Sequence, residues 1–417
     1  MSKLIVTGEN KLYGEVTVES AKNALLPLIS ACILYESKVT FINVPKLKDV
    51  EVMLEIIEYL GGKYYFLGNN LTVDCSSLYF YELPCELTKK IRASIFMIGA
   101  ILGRFRKATF CKPGGCDIGE RPIDIHIDSL KKLGVEVGGD EILYCRADVL
   151  NGANITLRFK SVGATINVIL ASVLAKGRTV INNAAKEPEI TSLIKLLKIF
   201  GAKIKGAGTS TIIVDGVDKL KKDTVIFTPV SDRIEVGTFA LAVMGVGGEI
   251  TISNAKFNNN IALFKKIYNN ACKIVYEDAK IYIKSSGVGK GLGSVKTAPY
   301  PYFPTDLQPQ ISAYSTTLNG TTVIDETIFE NRFNHFTELR KMGANVLVNG
   351  SKAVINGVKS LKGANVYAHD LRGGASLVLA GLKAEGVTVI DNIEVIDRGY
   401  YQIENKLQSL GANIKRI

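Results

Sequence analysis

The feature that most restricts the fold is a sixfold repeat that runs through all 417 residues. A short strand rich in β-branched residues recurs along the chain, and most copies end near Asn or Asp. Each copy carries one threonine at the same place, and these residues are Thr40, Thr109, Thr179, Thr251, Thr322 and Thr388. Successive threonines are separated by 69, 70, 72, 71 and 66 residues. A fixed period of this kind is the signature of a repeat architecture, so six similar structural units are predicted.

A second recurring piece is a helix that ends at glycine and runs into a strand. Examples are IIEYLGGKYYF (56–66), LLKIFGAKI (196–204) and LRKMGANVLV (339–348). Glycine is favoured just past a helix end because it adopts the left-handed conformation without a Cβ clash. Each unit therefore reads helix, strand, helix, strand, strand. The first helices are predicted to start near Ala21, Leu87, Val162, Ser231, Asp306 and Asp370.

The six units are expected to group as three plus three, because FTPVSDR interrupts the pattern near 228–232. The prediction is an α/β protein of two lobes with a cleft between them. The first lobe covers 22–230, and the second combines 1–21 with 231–417. Helices such as ATINVILASVLAKG (164–177) are apolar nearly all round, which indicates burial.

The charge balance favours small anionic ligands. Lys and Arg number 51 against 40 Asp and Glu, a formal net charge of +11. The basic residues are scattered and form no Lys/Arg-rich run, which argues against nucleic acid as a partner. Scattered positive charge suits small anions that are steered into a cleft.

Cysteine usage and the N-terminal residues bear on the compartment. The seven cysteines are odd in number and form no CxxC pair, so we expect neither a metal site nor a disulfide framework. No basic n-region with an apolar h-region opens the chain, and the apolar stretch 24–34 is too short to span a bilayer. The expectation is a cytoplasmic protein without a membrane partner, its oligomeric state left open.

Unusual polar residues cluster where the helices begin. Helix N-termini bind anions through unpaired N–H groups and a partial positive charge, and arginine forks grip phosphate or carboxylate through two oxygens. Five cations stand at these places: Lys22, Arg121, Arg332, Arg372 and Arg398. Two alternatives stay open from the residues alone: each arginine can form an ordinary salt bridge, and Asp, Ser or Thr can serve as N-caps.

These segments carry a family resemblance that covers essentially the whole chain, in order. AKNALLP, GGCDIGERPIDIHI, SVGATIN, TAPYPYFPTDLQPQ, FENRF, DLRGGASLVLAG and IDRGY resemble the successive motifs of the enolpyruvyl transferases that act on UDP-N-acetylglucosamine. The resemblance implies a two-lobed enolpyruvyl transferase fold, an inverse α/β barrel of six βαβαββ repeats. It also implies transfer of the enolpyruvyl group of phosphoenolpyruvate to the 3-hydroxyl of UDP-N-acetylglucosamine, with release of phosphate, in peptidoglycan synthesis. No cofactor is implied.

The resemblance also assigns roles to residues of this sequence. Cys116 is implied as the acid on a mobile loop and the target of fosfomycin, Asp306 as the base, with Asn23 and Glu330 orienting the reacting atoms. The implied catalytic set is Cys116, Asp306, Lys22 and Arg398. The implied phosphoenolpyruvate ligands are Lys22, Asn23, Arg92, Arg121, Arg332, Arg372 and Arg398. The implied UDP-sugar ligands are Asn23, Arg92, Arg121, Pro122, Ser161, Val162, Gly163, Asp306 and Ile328.

Departures from the family pattern and three rival readings remain. Ser20 replaces a more usual glycine, Val395 a histidine, and Lys160 is displaced by one residue, which puts its nucleotide role in doubt. One rival is the sister transferase that acts on shikimate 3-phosphate, which Lys22-Asn23 and the loop cysteine disfavour. Another is a catalytically silent UDP-sugar binder, which predicts the loss of an acid, base or cation. A dinucleotide site at GVGKGLGS (287–294) fails the GxGxxG spacing.

Overall fold

A computed structural model describes residues 2–114, 118–268 and 270–417. Its strands are β1 (Leu4–Thr7), β2 (Leu12–Thr17), β3 (Lys38–Phe41), β4 (Lys63–Leu67), β5 (Asn70–Asp74), β6 (Lys107–Cys111), β7 (Glu136–Gly138), β8 (Ile142–Arg146), β9 (Asn154–Thr156), β10 (Arg178–Asn182), β11 (Lys203–Lys205), β12 (Thr211–Asp215), β13 (Val225–Phe227), β14 (Gly248–Ser253), β15 (Cys272–Glu277), β16 (Lys280–Ser285), β17 (Gly293–Lys296), β18 (Thr321–Asp325), β19 (Asn345–Asn349), β20 (Lys352–Asn356), β21 (Asn365–Tyr367), β22 (Val387–Asp391) and β23 (Asn413–Arg416).

Its α-helices are α1 (Lys22–Cys32), α2 (Lys48–Tyr59), α3 (Cys85–Lys90), α4 (Phe96–Phe105), α5 (Asp124–Lys132), α6 (Val162–Ser172), α7 (Pro188–Ile199), α8 (Arg233–Val246), α9 (Ile261–Ile267), α10 (Gln308–Ser315), α11 (His335–Lys341), α12 (Leu371–Lys383) and α13 (Ile403–Ser409). Short 3-10 turns cover Arg92–Ile95, Phe257–Asn260, Thr305–Leu307 and Ile393–Val395. No helix in the described part of the chain is long and apolar enough to cross a membrane.

The repeat prediction is confirmed, because each of the six sheets formed by the described strands contains one threonine-bearing strand. The strand orders are β13-β3-β5-β4, β6-β8-β7, β11-β12-β10-β9, β15-β16-β14-β2, β17-β18-β20-β19 and β21-β22-β1-β23. In the four-stranded sheets that strand has one parallel and one antiparallel neighbour, as β18 has in β17 and β20. In the three-stranded sheet a single parallel bridge from Glu82 to Thr109 replaces the parallel strand. The repeats build small open sheets.

Asparagine ends several of these strands because it tolerates the left-handed conformation. Asn43, Asn183, Asn254 and Asn392 have φ values between 55° and 59°. Short polar side chains hydrogen-bond locally and so visit this region more easily than other non-glycine residues. The chain therefore turns off the sheet at these residues towards the second helix of each repeat.

The first two strands complete sheets whose other strands come from much later in the chain. β1 lies between β22 and β23 and is antiparallel to both, with Leu4 opposite Ile390 and Arg416. β2 pairs in parallel with β14. The local repeat pattern does not reveal these partners, because pairing across such separations depends on the packed structure.

The chain divides into two compact units. Unit 1 consists of residues 1–19, 117–119 and 231–417, and unit 2 of residues 20–116 and 120–230. The core of unit 1 includes Phe239, Ile252 and Phe336, all essentially inaccessible to solvent. Thirteen of the fourteen residues of α8 are buried, and they include the charged residues Arg233 and Glu235 of its first turn.

Two expectations within unit 2 are wrong in detail. The first helix of the second repeat is not continuous from Leu87: it is split into α3, the 3-10 turn Arg92–Ile95 and α4. The structure also joins Cys85 to Cys111 in a disulfide, with Cα atoms 5.2 Å apart. Cysteine spacing could not show this contact, because the bond joins the start of α3 to the end of β6.

Candidate active site

Asp306 lies in the 3-10 turn Thr305–Leu307 of unit 1, and each of its carboxylate oxygens accepts a hydrogen bond from a different arginine. Arg332 Nη2 is 3.1 Å from Oδ1, and Arg372 Nη2 is 3.1 Å from Oδ2. Both arginine side chains are almost fully buried, whereas 27% of the Asp306 side chain is exposed. The N-cap alternative is wrong for Asp306, because Pro304 and Leu307 hold the cap positions of the turn and of α10.

The backbone and side chain of Arg372 are both fixed. Asp370 caps α12 by accepting from the backbone N–H groups of Arg372 and the next residue, at 2.9 and 3.0 Å. The guanidinium carbon of Arg372 lies 5.2 Å from the ring centre of Tyr400. Burial alone would lower the pKa of Arg372, but Tyr400, Asp306 and Asp232 together hold it above its ordinary value. The guanidinium therefore stays charged although it is buried.

Tyr400 is a residue that the sequence argument passed over. Its hydroxyl lies 2.8 Å from Thr238 Oγ1 and accepts from Gln310 Nε2 at 2.9 Å. Burial raises the pKa of Tyr400, so the phenol stays neutral beneath Arg372. A signal was available in the sequence, since Tyr400 ends the IDRGY motif in which only Arg398 received a role.

The other predicted residues of unit 1 lie in two loops. Ile328 is half-buried and Glu330 exposed in the segment after β18. Arg398 is half-buried between the 3-10 turn Ile393–Val395 and α13. Val395, one of the departures from the expected motif, is half-buried at the end of that turn.

In unit 2, Lys22 forms an ion pair with the helix α2. Its Nζ is 2.9 Å from Asp49 Oδ2, and both side chains are largely buried. Lys22 is the first residue of α1, and the half-buried Asn23 follows it. Ser20, which replaces a more usual glycine, is buried and donates its hydroxyl hydrogen bond to the carbonyl of Ile42 at 3.2 Å.

Arg92 and Arg121 come together in the same unit. Arg92 Nη2 donates to the backbone carbonyl of Arg121. Burial, and then the charge of Arg121, lowers the pKa of Arg92 to about 10, so it remains a cation near neutrality. Arg121 itself has a φ of 51°, a left-handed conformation for a residue that precedes a proline, Pro122. Strained backbone of this kind clusters at active sites and at segments that clamp ligands.

A buried histidine lies under the start of α6. Ser161 caps α6 by accepting from the backbone N–H of Ala164 at 3.2 Å, and Val162 and Gly163 open the helix. A Cβ on Gly163 would lie 2.7 Å from His126 Cε1, so only glycine fits there. Burial, followed by the charges of two arginines, lowers the pKa of His126 to about 3. The imidazole is therefore neutral, with Nδ1 2.8 Å from Asn167 Nδ2.

Cys116 lies outside the described residues, as do Gly115 and Asp117. The segment leading to it is described up to Gly114, where an added Cβ would clash with the backbone carbonyl oxygen of Lys89 at the end of α3. Lys160, whose nucleotide role was in doubt, is half-buried immediately before Ser161. A surface depression of about 410 Å³ beside α5 is lined by none of the predicted ligands but by Ile125, Asp128, Ser129, Lys131, Lys132, Thr156, Leu157 and Arg158.

Comparisons with solved structures define the class of protein. The enolpyruvyl transferase NikO from Streptomyces tendae matches with a TM-score of 0.88 at 24% identity, covering 100% of this chain and 98% of that one. EPSP synthase from Acinetobacter baumannii matches with a TM-score of 0.77 at 16% identity over 100% of both chains. The model of the family described as EPSP synthase (3-phosphoshikimate 1-carboxyvinyltransferase) matches residues 6–407. The fold is that of the enolpyruvyl transferases, as predicted.

Comparisons of sequence narrow this class. UDP-N-acetylglucosamine 1-carboxyvinyltransferase 2 of Caldanaerobacter subterraneus subsp. tengcongensis is 46% identical over 100% of both chains. The enzyme of the same name from Bacillus subtilis is 45% identical over 100% of this chain and 97% of its own. That of Klebsiella pneumoniae is 43% identical over 100% and 99%. The chain belongs to the EPSP synthase family and, within it, to the UDP-N-acetylglucosamine 1-carboxyvinyltransferases.

Proposed function

We propose that this enzyme transfers the enolpyruvyl group of phosphoenolpyruvate to the 3-hydroxyl of UDP-N-acetylglucosamine and releases phosphate, the first committed step of peptidoglycan synthesis. The observation that carries the proposal is the partly exposed carboxylate of Asp306, fixed at 3.1 Å from each of two buried arginines. The full-length similarity to enzymes named for this reaction supports it. The proposal places the enzyme in the cytoplasm, with the two substrates as its small-molecule partners.

The chemistry is addition followed by elimination. The sugar 3-hydroxyl oxygen bonds to C2 of phosphoenolpyruvate while its proton passes to a base, and an acid protonates C3. The product is a tetrahedral ketal that still carries phosphate. A proton then leaves C3 and the bond between C2 and the phosphate oxygen breaks, which releases phosphate. The steps need a base, an acid and fixed positive charge, and no cofactor.

In this proposal Asp306 takes the proton of the 3-hydroxyl. Its two arginine partners are the groups that a substrate carboxylate would bind, since a guanidinium fork grips carboxylate through two hydrogen bonds. When Arg332 and Arg372 turn to the carboxylate of phosphoenolpyruvate, Asp306 loses part of their positive charge and becomes a stronger base. The ion pairs thus hold both arginines in place until the substrate binds.

The remaining roles divide between the phosphate and the sugar nucleotide. Lys22, Arg121 and Arg398 are proposed to bind the phosphate, with Arg92 beside Arg121, and Cys116 to supply the proton for C3. The left-handed backbone of Arg121 and the carbonyl contact from Arg92 support a fixed direction for that side chain. The proposed UDP-sugar contacts are Asn23, Arg92, Arg121, Pro122, Ser161, Val162, Gly163, Asp306 and Ile328.

Phosphate release tests the proposal. Purified enzyme is incubated with phosphoenolpyruvate and either UDP-N-acetylglucosamine or shikimate 3-phosphate, before and after fosfomycin. We expect turnover only with the sugar nucleotide, fosfomycin inhibition of the wild type, and resistance of a Cys116→Asp variant. Turnover with shikimate 3-phosphate would favour the sister activity. Binding of the UDP-sugar without turnover of either acceptor would indicate a catalytically silent binder.

A further inference from the structure

Glu326 carries a charge where the other repeats have none. It stands four residues after the repeat threonine Thr322, and the other repeats have at that position Val44, Pro113, Asn183, Ala255 and Asn392. Only 3% of Glu326 is exposed. Burying a carboxylate is costly unless several hydrogen bonds satisfy it, so this exception to the repeat calls for a local reason.

The carboxylate of Glu326 accepts hydrogen bonds from three separate segments of unit 1. Oε1 accepts from Thr297 Oγ1 at 2.9 Å and from the backbone N–H groups of Ile328 and Phe329 at 2.9 and 3.3 Å. Oε2 accepts from Thr305 Oγ1 at 3.0 Å. Hydrogen bonds to an ionised acceptor are roughly twice as strong as neutral ones. Glu326 therefore joins the end of β17, the turn before α10 and the loop after β18.

Two of these segments carry the groups of the candidate site. Thr305 directly precedes Asp306, and the loop whose backbone Glu326 holds reaches Arg332 three residues after Phe329. The distance from Asp306 Oδ1 to Arg332 Nη2 is 3.1 Å. We infer that Glu326 is a positioning residue that sets the distance between the Asp306 carboxylate and Arg332. Its Oε2 holds the Asp306 segment, and its Oε1 holds the loop that leads to Arg332. The inference rests on the proposed function for its catalytic meaning.

The sharpest perturbation is Thr305→Val, which removes the hydroxyl donor and nearly keeps the side-chain shape. It releases the Asp306 segment and leaves the bonds from Glu326 to Ile328 and Phe329 intact. We expect kcat to fall about tenfold, because small misplacement of a reacting group is costly, and KM for UDP-N-acetylglucosamine to stay within about twofold. The acid limb of the kcat/KM–pH profile, which reports the free enzyme, should move to higher pH, since the base loses part of its arginine contact before the substrate binds.

A matched control comes from the other end of β18. Thr321→Val removes the hydroxyl hydrogen bond to Asn356 Oδ1, which is 2.9 Å long and solvent-exposed, and should leave kcat and the pH profile unchanged. Glu326→Gln keeps the shape but removes the charge, and we expect it to lower kcat as Thr305→Val does. A Thr305→Val enzyme with the kcat and pH profile of Thr321→Val would overturn the inference.

Failure of the proposed function can be told apart from failure of this inference. If the wild type releases no phosphate with UDP-N-acetylglucosamine, the function is wrong, and the inference is judged by the crystal structure of Thr305→Val. A lengthened Asp306–Arg332 contact in that structure would support the positioning role. A contact that stays at the wild-type 3.1 Å would refute it.

Discussion

Truncating Tyr400 should separate two effects that this side chain has on its surroundings. Tyr400→Phe keeps the ring 5.2 Å from the guanidinium carbon of Arg372 but removes the hydroxyl that lies 2.8 and 2.9 Å from Thr238 and Gln310. Thr238 and Gln310 each keep another hydrogen bond, to the carbonyl of Ile234 and to Thr238. The loss of free energy of unfolding should therefore be about 0.5–1.5 kcal/mol for each hydrogen bond removed. Tyr400→Leu also removes the ring beneath the cation, a contact worth about 1–2 kcal/mol when desolvated.

The substrate that reports on Arg372 is phosphoenolpyruvate. We expect Tyr400→Phe to raise its KM roughly 2- to 10-fold, because the hydroxyl also interacts with Arg372 and one hydrogen bond is worth about 0.5–1.5 kcal/mol. Tyr400→Leu should raise it by roughly a further 5- to 30-fold, the equivalent of about 1–2 kcal/mol. Urea unfolding measures stability, and initial rates of phosphate release measure KM. Adding Thr238→Val to Tyr400→Phe should cost about a further 1–3 kcal/mol, since it takes from the buried Gln310 amide its remaining partner, Thr238 Oγ1 at 3.3 Å. Equal KM values for the Phe and Leu variants would refute the role assigned to the ring.

Three further predictions concern unit 2. Gly163→Ala places a Cβ 2.7 Å from His126 Cε1. It should destabilise the protein by about 1–3 kcal/mol and raise KM for UDP-N-acetylglucosamine. Gly138→Ala, which has open space around the new Cβ, should change neither the stability nor this KM. The pKa of His126 is about 3 in the folded protein and 6.5 in model peptides, so below pH 6.5 the unfolded chain binds a proton that the folded protein does not. The free energy of unfolding should therefore fall by up to about 1.4 kcal/mol per pH unit as pH drops below 6.5. His126→Gln should reduce that slope, which urea unfolding between pH 4 and 7 measures. Reduction of the disulfide between Cys85 and Cys111, 26 residues apart, should lower the free energy of unfolding by roughly 3–4 kcal/mol, and a Cys85→Ser variant should be insensitive to reductant.

The repeat and the types of residue at the helix starts can be predicted from the sequence alone. The threonine period predicted six units because a strand, its glycine-ended helix and the following hairpin are neighbours in sequence and pair locally, as β18 does with β20. The period also predicted the start of two first helices correctly, because each is capped by a residue next to it in sequence. α6 begins at Val162 and α12 follows Asp370, whose own side chain caps the helix. The period failed at Leu87, because the helix breaks at the extended residue Ile91 and a 3-10 turn follows before α4.

Which of these groups come into contact depends on long-range packing. The sequence singled out Asp306, Arg332 and Arg372 separately, but nothing in the spacing says that both arginines hold one carboxylate. The pairing of β1 with β22 likewise joins strands from opposite ends of the chain. The physical reason is the same in both cases. Local periodicity fixes helices and strands through neighbouring residues, whereas the partner of a buried charge, or of a strand from a distant part of the chain, is chosen by the packing of the whole unit.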